Sequence, residues 1–156
     1  MSELRFTQTN SALSMTCRIE TVIRAPTAIV WRLLTDAQGF PRWNSTVTAI
    51  EGEIREGERI RIHAPGTKQT FTPKVSDVEP ERRMQWSDGV DSIFRGARKF
   101  ELKPNGVGAT EFTMEERFSG VMFALTKSMM PDFRPIFEAY ANDLKREAER
   151  VATGSQ

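Results

Sequence analysis

The sequence predicts an α+β fold in which one long helix lies across a face of an antiparallel sheet. From Thr46 to Ser119, apolar and polar residues alternate with a period of two, and turn residues separate the short runs. Apolar residues follow helical spacing before this region, in residues 26–39, and after it, in residues 132–151. A chain of 156 residues, 38% of them hydrophobic, is long enough to bury one core.

The first predicted strand covers residues 14–24, and the residues on its buried face are Met15, Cys17, Ile19, Thr21 and Ile23. Residues 1–13 are polar and show no periodic pattern, so we expect a polar N-terminal extension there. The first helix begins at Pro26, where a missing N–H costs nothing, and ends at Gly39. Pro41 then favours a second, very short helix that ends near Trp43.

Six further strands are predicted over residues 46–53, 57–64, 69–79, 82–87, 92–103 and 109–119. Gly, Asn, Asp and Pro residues between these runs supply the turns of an antiparallel meander. Pro73 lies inside the third run and indicates an edge or a bulge there. The last helix carries an apolar stripe and leaves residues 152–156 as a C-terminal tail; the stripe consists of Phe133, Ile136, Phe137, Tyr140, Leu144 and Ala148.

Composition argues against several functional classes. A net charge of +1 gives no electrostatic reason to expect a nucleic acid partner, and no apolar run approaches the roughly 20 residues that span a membrane. One cysteine and one histidine cannot form a disulfide or a zinc site of several Cys and His ligands. We therefore expect a cytoplasmic protein with no cofactor, no metal and no stable membrane insertion. Whether it forms a homodimer stays open.

Four segments together are similar to a known superfamily. They are "IRAPTAIVWRLLTDAQGFPRWNS", "DVEPERRMQWSDG", "FELKPNGVGATEFTMEERFSG" and "FEAYANDLKREAER". In order and spacing they resemble the START-like polyketide cyclase/dehydrase (SRPBCC) superfamily over about residues 15–150. One departure is Ser45, because the family often has Pro after the Trp-Asn pair.

The resemblance implies a helix-grip fold. A curved antiparallel sheet of seven strands would wrap around the C-terminal helix, with two short helices after the first strand. A deep, largely apolar cavity would lie between the sheet and the helix. Residues 14–151 would then form a single helix-grip ligand-binding domain.

Two charged residues lie on apolar strand faces. Alternation places Arg98 on one face with Phe94, Gly96, Phe100 and Leu102. Glu116 shares a face with Phe112, Met114 and Phe118. In a suitable register the two charges lie opposite each other, although a slip of one step would separate them. Arg98 would hold a carboxylate, enolate or carbonyl oxygen, and Glu116 would accept from a hydroxyl or act as a general base. The alternatives are a structural ion pair, or charges that reach water at a rim.

The candidate ligand-binding residues are Trp43, Trp86, Phe94, Arg98, Phe100, Phe112, Met114, Glu116, Phe118, Phe137 and Tyr140. For Trp43, and for Phe40 beside it, two roles stay open: filling the core or lining the cavity. The Met-rich run from Met122 to Met130 would be a cavity lid, ordinary helix packing, or an exposed patch that touches a membrane or a partner. Alternation turns His63 away from the cavity and makes Cys17 a small buried apolar residue.

Three functions fit the sequence. The first is a carrier or sensor that binds a hydrophobic small molecule of lipid, polyketide or aromatic type. The second is an enzyme of the cyclase or dehydrase kind, whose catalytic candidates are Glu116, Arg98 and Tyr140. The third is a protein-interaction module. Because one fold serves all three, the sequence leaves open whether any reaction is catalysed.

Overall fold

The structure, a computed structural model, describes residues 4–154. Its strands are β1 (Arg5–Asn10), β2 (Ser14–Ile23), β3 (Ala49–Glu51), β4 (Arg61–His63), β5 (Thr70–Phe71), β6 (Lys74–Glu79), β7 (Arg83–Val90), β8 (Phe94–Pro104) and β9 (Thr110–Ser119). Its α-helices are α1 (Thr27–Thr35), α2 (Phe40–Trp43), α3 (Val121–Thr126) and α4 (Arg134–Ala152). Two single 3-10 turns, Ala37–Gly39 and Lys127–Met129, follow α1 and α3.

The main sheet has six antiparallel strands in the order β1-β2-β9-β8-β7-β6. The hairpin between β8 and β9 closes through a backbone hydrogen bond from the Asn105 N–H to the Ala109 carbonyl, 2.9 Å long. Gly106 and Gly108 have φ values of 69° and 82° in this turn, a region that favours glycine. The turn sets the register of the longest strand pair and therefore decides which inward side chains meet.

The expected single sheet of seven strands is wrong. Residues 46–79 contribute three short strands, β3, β4 and β5, to a separate sheet, and only β6 joins the main one. Pro73 divides the predicted strand over residues 69–79, because proline has no N–H for a strand ladder. The bulge near Asp77, whose φ is 55°, further distorts this edge of the main sheet.

The N-terminal residues also differ from expectation. The polar pattern predicts an extension over residues 1–13, whereas Arg5–Asn10 forms β1 and pairs with β2 along its whole length. Backbone pairing at a sheet edge needs no apolar alternation, so this strand carries little sequence signal. Phe6 anchors it, with its ring centroid 5.8 Å from that of Phe137 on α4. Residues 1–3 lie outside the described residues.

Helix α4 lies across the inner face of the main sheet and buries Phe137, Tyr140, Ala141, Leu144 and Ala148. Five of the sheet's inward side chains have exposed fractions of 0–1%: Ile19, Phe100, Leu102, Phe112 and Met114. Burying each large apolar side chain contributes roughly 1.5–3 kcal/mol. The helix extends to Ala152, so the expected C-terminal tail begins one residue later, and residues 155–156 lie outside the described part.

The segment that carries α2 is tied to α4 by polar contacts. The backbone N–H and the hydroxyl of Ser45 both donate to Asp143 Oδ2, each at 2.7 Å. Arg42 on α2 forms an ion pair with Glu147, one turn further along α4. Pro at position 45 could make neither Ser45 contact, since it lacks both donors. Ser45 thereby holds α2 against the last helix.

Candidate functional site

Arg98 on β8 and Glu116 on β9 face each other directly across the two strands. The Nε and Nη2 atoms of Arg98 lie 2.7 Å and 2.6 Å from the same carboxylate oxygen, Oε1 of Glu116. The side chains of Arg98 and Glu116 are 22% and 17% exposed, so the pair is mostly buried but still in contact with solvent. Burial lowers the pKa of Arg98, but the attraction of Glu116 outweighs it and leaves that pKa above its ordinary value.

The pair belongs to a row of inward side chains that crosses the sheet. Cys17 on β2 is the cross-strand partner of Glu116, and Trp86 on β7 is the partner of Arg98. Burial, and next the negative charge of Glu116, raise the pKa of Cys17 to about 11. At neutral pH the thiol therefore stays protonated, as expected for a small buried apolar residue.

Helix α4 covers the row with two aromatic rings. The guanidinium carbon of Arg98 lies 5.4 Å from the ring centroid of Phe137 and 5.5 Å from that of Tyr140. Both distances fit cation–π contacts. Burial raises the pKa of Tyr140, and Arg98 only partly opposes the rise. The Tyr140 hydroxyl therefore stays protonated at neutral pH and is able to donate a hydrogen bond.

An aromatic cluster lies beside the row and joins α2, the sheet and α4. The ring centroid of Phe40 is 4.9 Å from that of Trp43, 6.2 Å from that of Trp86 and 6.4 Å from that of Tyr140. Phe100 extends the cluster, with its centroid 4.7 Å from that of Trp86. Phe40 and Trp43, at 0% and 7% exposure, therefore fill the core in this structure.

Three polar atoms in this cluster lack partners. Trp43 Nε1, Trp86 Nε1 and Tyr140 Oη are buried, and none of them makes a hydrogen bond to another of residues 4–154. Arg98 is near Tyr140 Oη and affects its pKa, but no hydrogen bond of ordinary geometry joins them. An indole N–H only donates, so two of the three are donors without an acceptor. Leaving a buried donor unsatisfied costs about 1–3 kcal/mol.

The inner face of the main sheet is less completely buried at its end near α3. On the inner face of β8, Phe94, Gly96 and Arg98 are half-buried, whereas Phe100 and Leu102 are fully buried. Gly96 lies next to the carboxylate, since a Cβ atom at this position would be 3.5 Å from Glu116 Oε2. Because glycine has no side chain, this position leaves the carboxylate uncovered. This oxygen accepts no hydrogen bond from the described residues, and the pair therefore has an unused acceptor beside an opening.

The deep cavity that the resemblance implies is not open in this structure. Buried side chains fill the space between the main sheet and α4, and two surface clefts of the described residues lie outside it. One cleft of about 410 Å³ is lined by Thr35, Asp36, Ala37, Gln38, Gly52, Glu53, Ile54 and Arg55. Another of about 560 Å³ is lined by Ser11, Leu13, Ser14, Asp91, Ser92, Arg117, Ser119, Gly120 and Val121. Neither contains a candidate ligand-binding residue.

The structure nevertheless brings the candidate residues into one region. Those on the sheet, Trp86, Phe94, Arg98, Phe100, Phe112, Met114, Glu116 and Phe118, lie on strands of one sheet. Phe137 and Tyr140 face this sheet from α4, and Trp43 closes the region from α2. Their role as ligand contacts stays a prediction.

The sequence analysis placed Phe133 on the apolar stripe but not among the candidate ligand-binding residues, whereas its ring stacks on that of Phe118 with centroids 5.1 Å apart. Its spacing of four residues from Phe137 on the apolar stripe was the available signal. His63 lies in the small sheet, away from the site, and contacts Glu51. In the Met-rich run, Met122 and Met129 are exposed and Met130 is half-buried.

Among residues 4–154, no group of three or more His, Cys, Asp or Glu side chains is arranged to hold a metal ion. No helix in that same range is both long enough and apolar enough to cross a bilayer.

Comparison with solved structures shows the same fold in distant proteins. MLL2253 from Mesorhizobium loti has 21% identity and a TM-score of 0.68, with 87% of this chain and 98% of that chain covered. The Zhui aromatase/cyclase from Streptomyces sp. R1128 has 15% identity and a TM-score of 0.67, with 95% of each chain covered. A START superfamily protein from Mycobacterium smegmatis has 13% identity and a TM-score of 0.63, with 87% of this chain and 98% of that chain covered.

No curated protein matched the sequence. A family model does match, and it covers residues 15–149, from the start of β2 almost to the end of α4. That range includes the strand row, the aromatic cluster and the covering helix described above. The chain belongs to the family described as polyketide cyclase / dehydrase and lipid transport.

Proposed function

We propose that this protein binds a hydrophobic small molecule between the inner face of the main sheet and α4, as a carrier or sensor. The observation that carries the proposal is the Arg98–Glu116 pair, which lies on an otherwise apolar face with one carboxylate oxygen unused. Membership of a family of cyclases and lipid transporters supports the same conclusion. The ligand classes that fit are lipids, polyketides and aromatic compounds.

The ion pair is poorly explained by stability alone. Replacing such a pair by apolar side chains of similar volume is often neutral or stabilising, because burial removes both charges from water. Here the two guanidinium nitrogens share one oxygen, so the pair uses only part of its hydrogen-bonding capacity. A bound molecule with a hydroxyl group would use Glu116 Oε2 and gain a polar anchor in an apolar site.

Binding requires side chains to move, because the space is filled. The half-buried residues Phe94, Gly96 and Phe133 mark the end of the site where the packing is least complete. We propose that the ligand enters there and displaces side chains of the aromatic cluster. The apolar surface of the ligand then packs against the site and replaces the side-chain contacts that are lost.

An enzyme of the cyclase or dehydrase kind is the second candidate. The fold similarity to an aromatase/cyclase and the unused oxygen of Glu116 favour it. In that case Glu116 would remove a proton, and Tyr140, which burial keeps uncharged, would donate a hydrogen bond to a substrate oxygen. Glu116 pairs with Arg98 through Oε1, which leaves Oε2 for contact with a substrate.

Native mass spectrometry of protein purified without detergent tests the proposal. We expect a bound small molecule, or a thermal shift on addition of one member of a panel of fatty acids and aromatic polyketides. Absence of any bound molecule and of any shift would reject the binding function. If one of these molecules is turned over, Glu116→Gln tests the catalytic role: unchanged turnover would exclude Glu116 as the base.

A further inference from the structure

We infer that the ligand of this site is electrically neutral and places an acceptor oxygen, such as a ketone or quinone carbonyl on a planar ring, among Trp43, Trp86 and Tyr140. The inference rests on the proposed function and names the ligand chemistry that it leaves open. It is carried by the three unpartnered donors of the aromatic cluster.

The rings that carry the three donors surround one position in the fold, the ring of Phe40. Trp43 lies on α2, Trp86 on β7 and Tyr140 on α4, and all three rings contact the ring of Phe40. Their residues are 7%, 3% and 1% exposed, so water does not provide the missing acceptor from bulk solvent. A group that takes the place of the Phe40 ring would reach all three side chains. A planar ring fits that place because it replaces an aromatic side chain.

The polar atoms of the cluster require an acceptor. Both indole N–H groups donate only, and the Tyr140 hydroxyl has a proton to donate because burial raises its pKa. A carbonyl oxygen has two lone pairs and is therefore able to accept hydrogen bonds from two donors. An aliphatic chain without oxygen would fill the same volume but leave the donors unsatisfied.

The charges of the site exclude an anion. Arg98 is the one cation of the row and cluster among the described residues, and Glu116 already neutralises it. The three unpartnered groups are uncharged. A carboxylate or phosphate placed among them would be buried without a counter-charge, which costs several kcal/mol. A neutral oxygen has no such cost, so the site selects against acids of the same shape.

Three naphthalene probes of matched shape test this chemistry with the full-length protein. These are 2-acetylnaphthalene with a neutral carbonyl, 2-naphthoate with a charged carboxylate and 2-ethylnaphthalene without oxygen. Isothermal titration at pH 7.5 should give the ketone an affinity at least about threefold to tenfold higher than that of the hydrocarbon, which is the effect of one added hydrogen bond. The naphthoate should bind more weakly than both.

The indole N–H resonances report the contact directly, and Trp31 is the internal control. In ¹H–¹⁵N spectra the ketone should shift the Nε1–H signals of Trp43 and Trp86 and leave that of Trp31, a half-buried α1 residue outside the cluster, in place. Tyr140→Phe keeps the ring and should remove part of the ketone preference. A folded variant with an unchanged preference would exclude Tyr140 as a donor.

The outcomes separate the inference from the proposed function. Equal affinity for ketone and hydrocarbon, or tighter binding of the naphthoate, overturns the inference while binding itself stands. If none of the three probes binds, the inference is likewise overturned. If the wider panel of fatty acids and polyketides also fails, the binding function is rejected with it.

Discussion

Arg98 and Glu116 occupy directly opposed positions on β8 and β9, and two nitrogens of the guanidinium share a single carboxylate oxygen. The contact depends on the register of one hairpin, and a slip of one residue would turn one of the charges to the outer face. It also leaves Glu116 Oε2 free at the half-open end of the site. This relationship gives the first prediction.

Removal of one partner should cost more than removal of both. Glu116→Leu leaves the Arg98 charge mostly buried without a partner, and we expect a loss of about 2–3 kcal/mol in the free energy of unfolding. The double variant Arg98→Met/Glu116→Leu should recover most of that loss, because an apolar pair suits the apolar face. Urea unfolding at pH 7 measures the free energy of unfolding of both variants. A double variant as unstable as Glu116→Leu would contradict this account.

The opening beside Gly96 should control ligand access. Gly96→Leu adds a side chain to the inner face next to Glu116 Oε2, and it should weaken binding of the molecule found by mass spectrometry by roughly tenfold or more, since it occupies the space. Ala97→Leu is the matched control, because alternation turns position 97 to the outer face. Equal affinities of the two variants would place the access route elsewhere.

Cys17 should resist thiol reagents in the native protein. Its pKa of about 11 leaves a thiolate fraction roughly 100-fold smaller than that of an ordinary cysteine at pH 8, and burial also blocks access. Labelling with a disulfide reagent should therefore be at least about 100-fold slower in native protein than in 6 M guanidinium chloride. Fast native labelling would show that the row of inward residues opens readily.

The ionised carboxylate of Glu147 should make the free energy of unfolding depend on pH. Hydrogen bonds from Arg150, opposed by burial and supported by Arg42, lower the pKa of Glu147 from 4.5 to about 2. A carboxyl with a lowered folded pKa stabilises the fold above its unfolded pKa, and this stability is lost as the pH falls from about 4.5 to about 2. Both arginine side chains are more than half exposed, so solvent screening reduces the contribution to about 1–2 kcal/mol.

Glu147→Gln tests this contribution by urea unfolding at pH 7 and pH 3. The variant should be less stable than the wild type at pH 7 and should lose less stability on acidification. Glu138→Gln is the control on the same helix, because Glu138 makes only a surface pair with Arg134. Parallel pH profiles of the wild type and Glu147→Gln would contradict the assignment.

Ser45 should stabilise the joint between α2 and α4. Ser45→Ala removes the hydroxyl donor to Asp143 and should cost about 1 kcal/mol, whereas Ser45→Pro also removes the N–H donor and should cost about 2–3 kcal/mol. Asn44 has φ −106° and ψ 109°, an extended conformation that a following proline accepts. Thermal unfolding ranks the variants, and a Ser45→Pro variant as stable as the wild type would show that these hydrogen bonds contribute little.

Strand alternation predicted correctly which side chains of β8 and β9 face inward, because the period of two depends only on local backbone geometry. It did not predict β1, since the polar residues from Arg5 to Asn10 pair through backbone groups at an edge. Nor did it separate the residues before Pro73 into a second sheet, although the proline itself was a local sign of a break.

The sequence by itself determined the α+β class, the family resemblance, the inward faces and the two charges that they carry, because these follow from periodicity and residue type. Only the tertiary structure decided that Arg98 and Glu116 pair, that Phe40 lies among three unpartnered donors, and that the expected cavity is filled. Those facts depend on strand register and on side-chain volumes from α2, the sheet and α4 together. Strand register and the packing of side-chain volumes depend on residues far apart along the chain, so the local sequence pattern does not contain them.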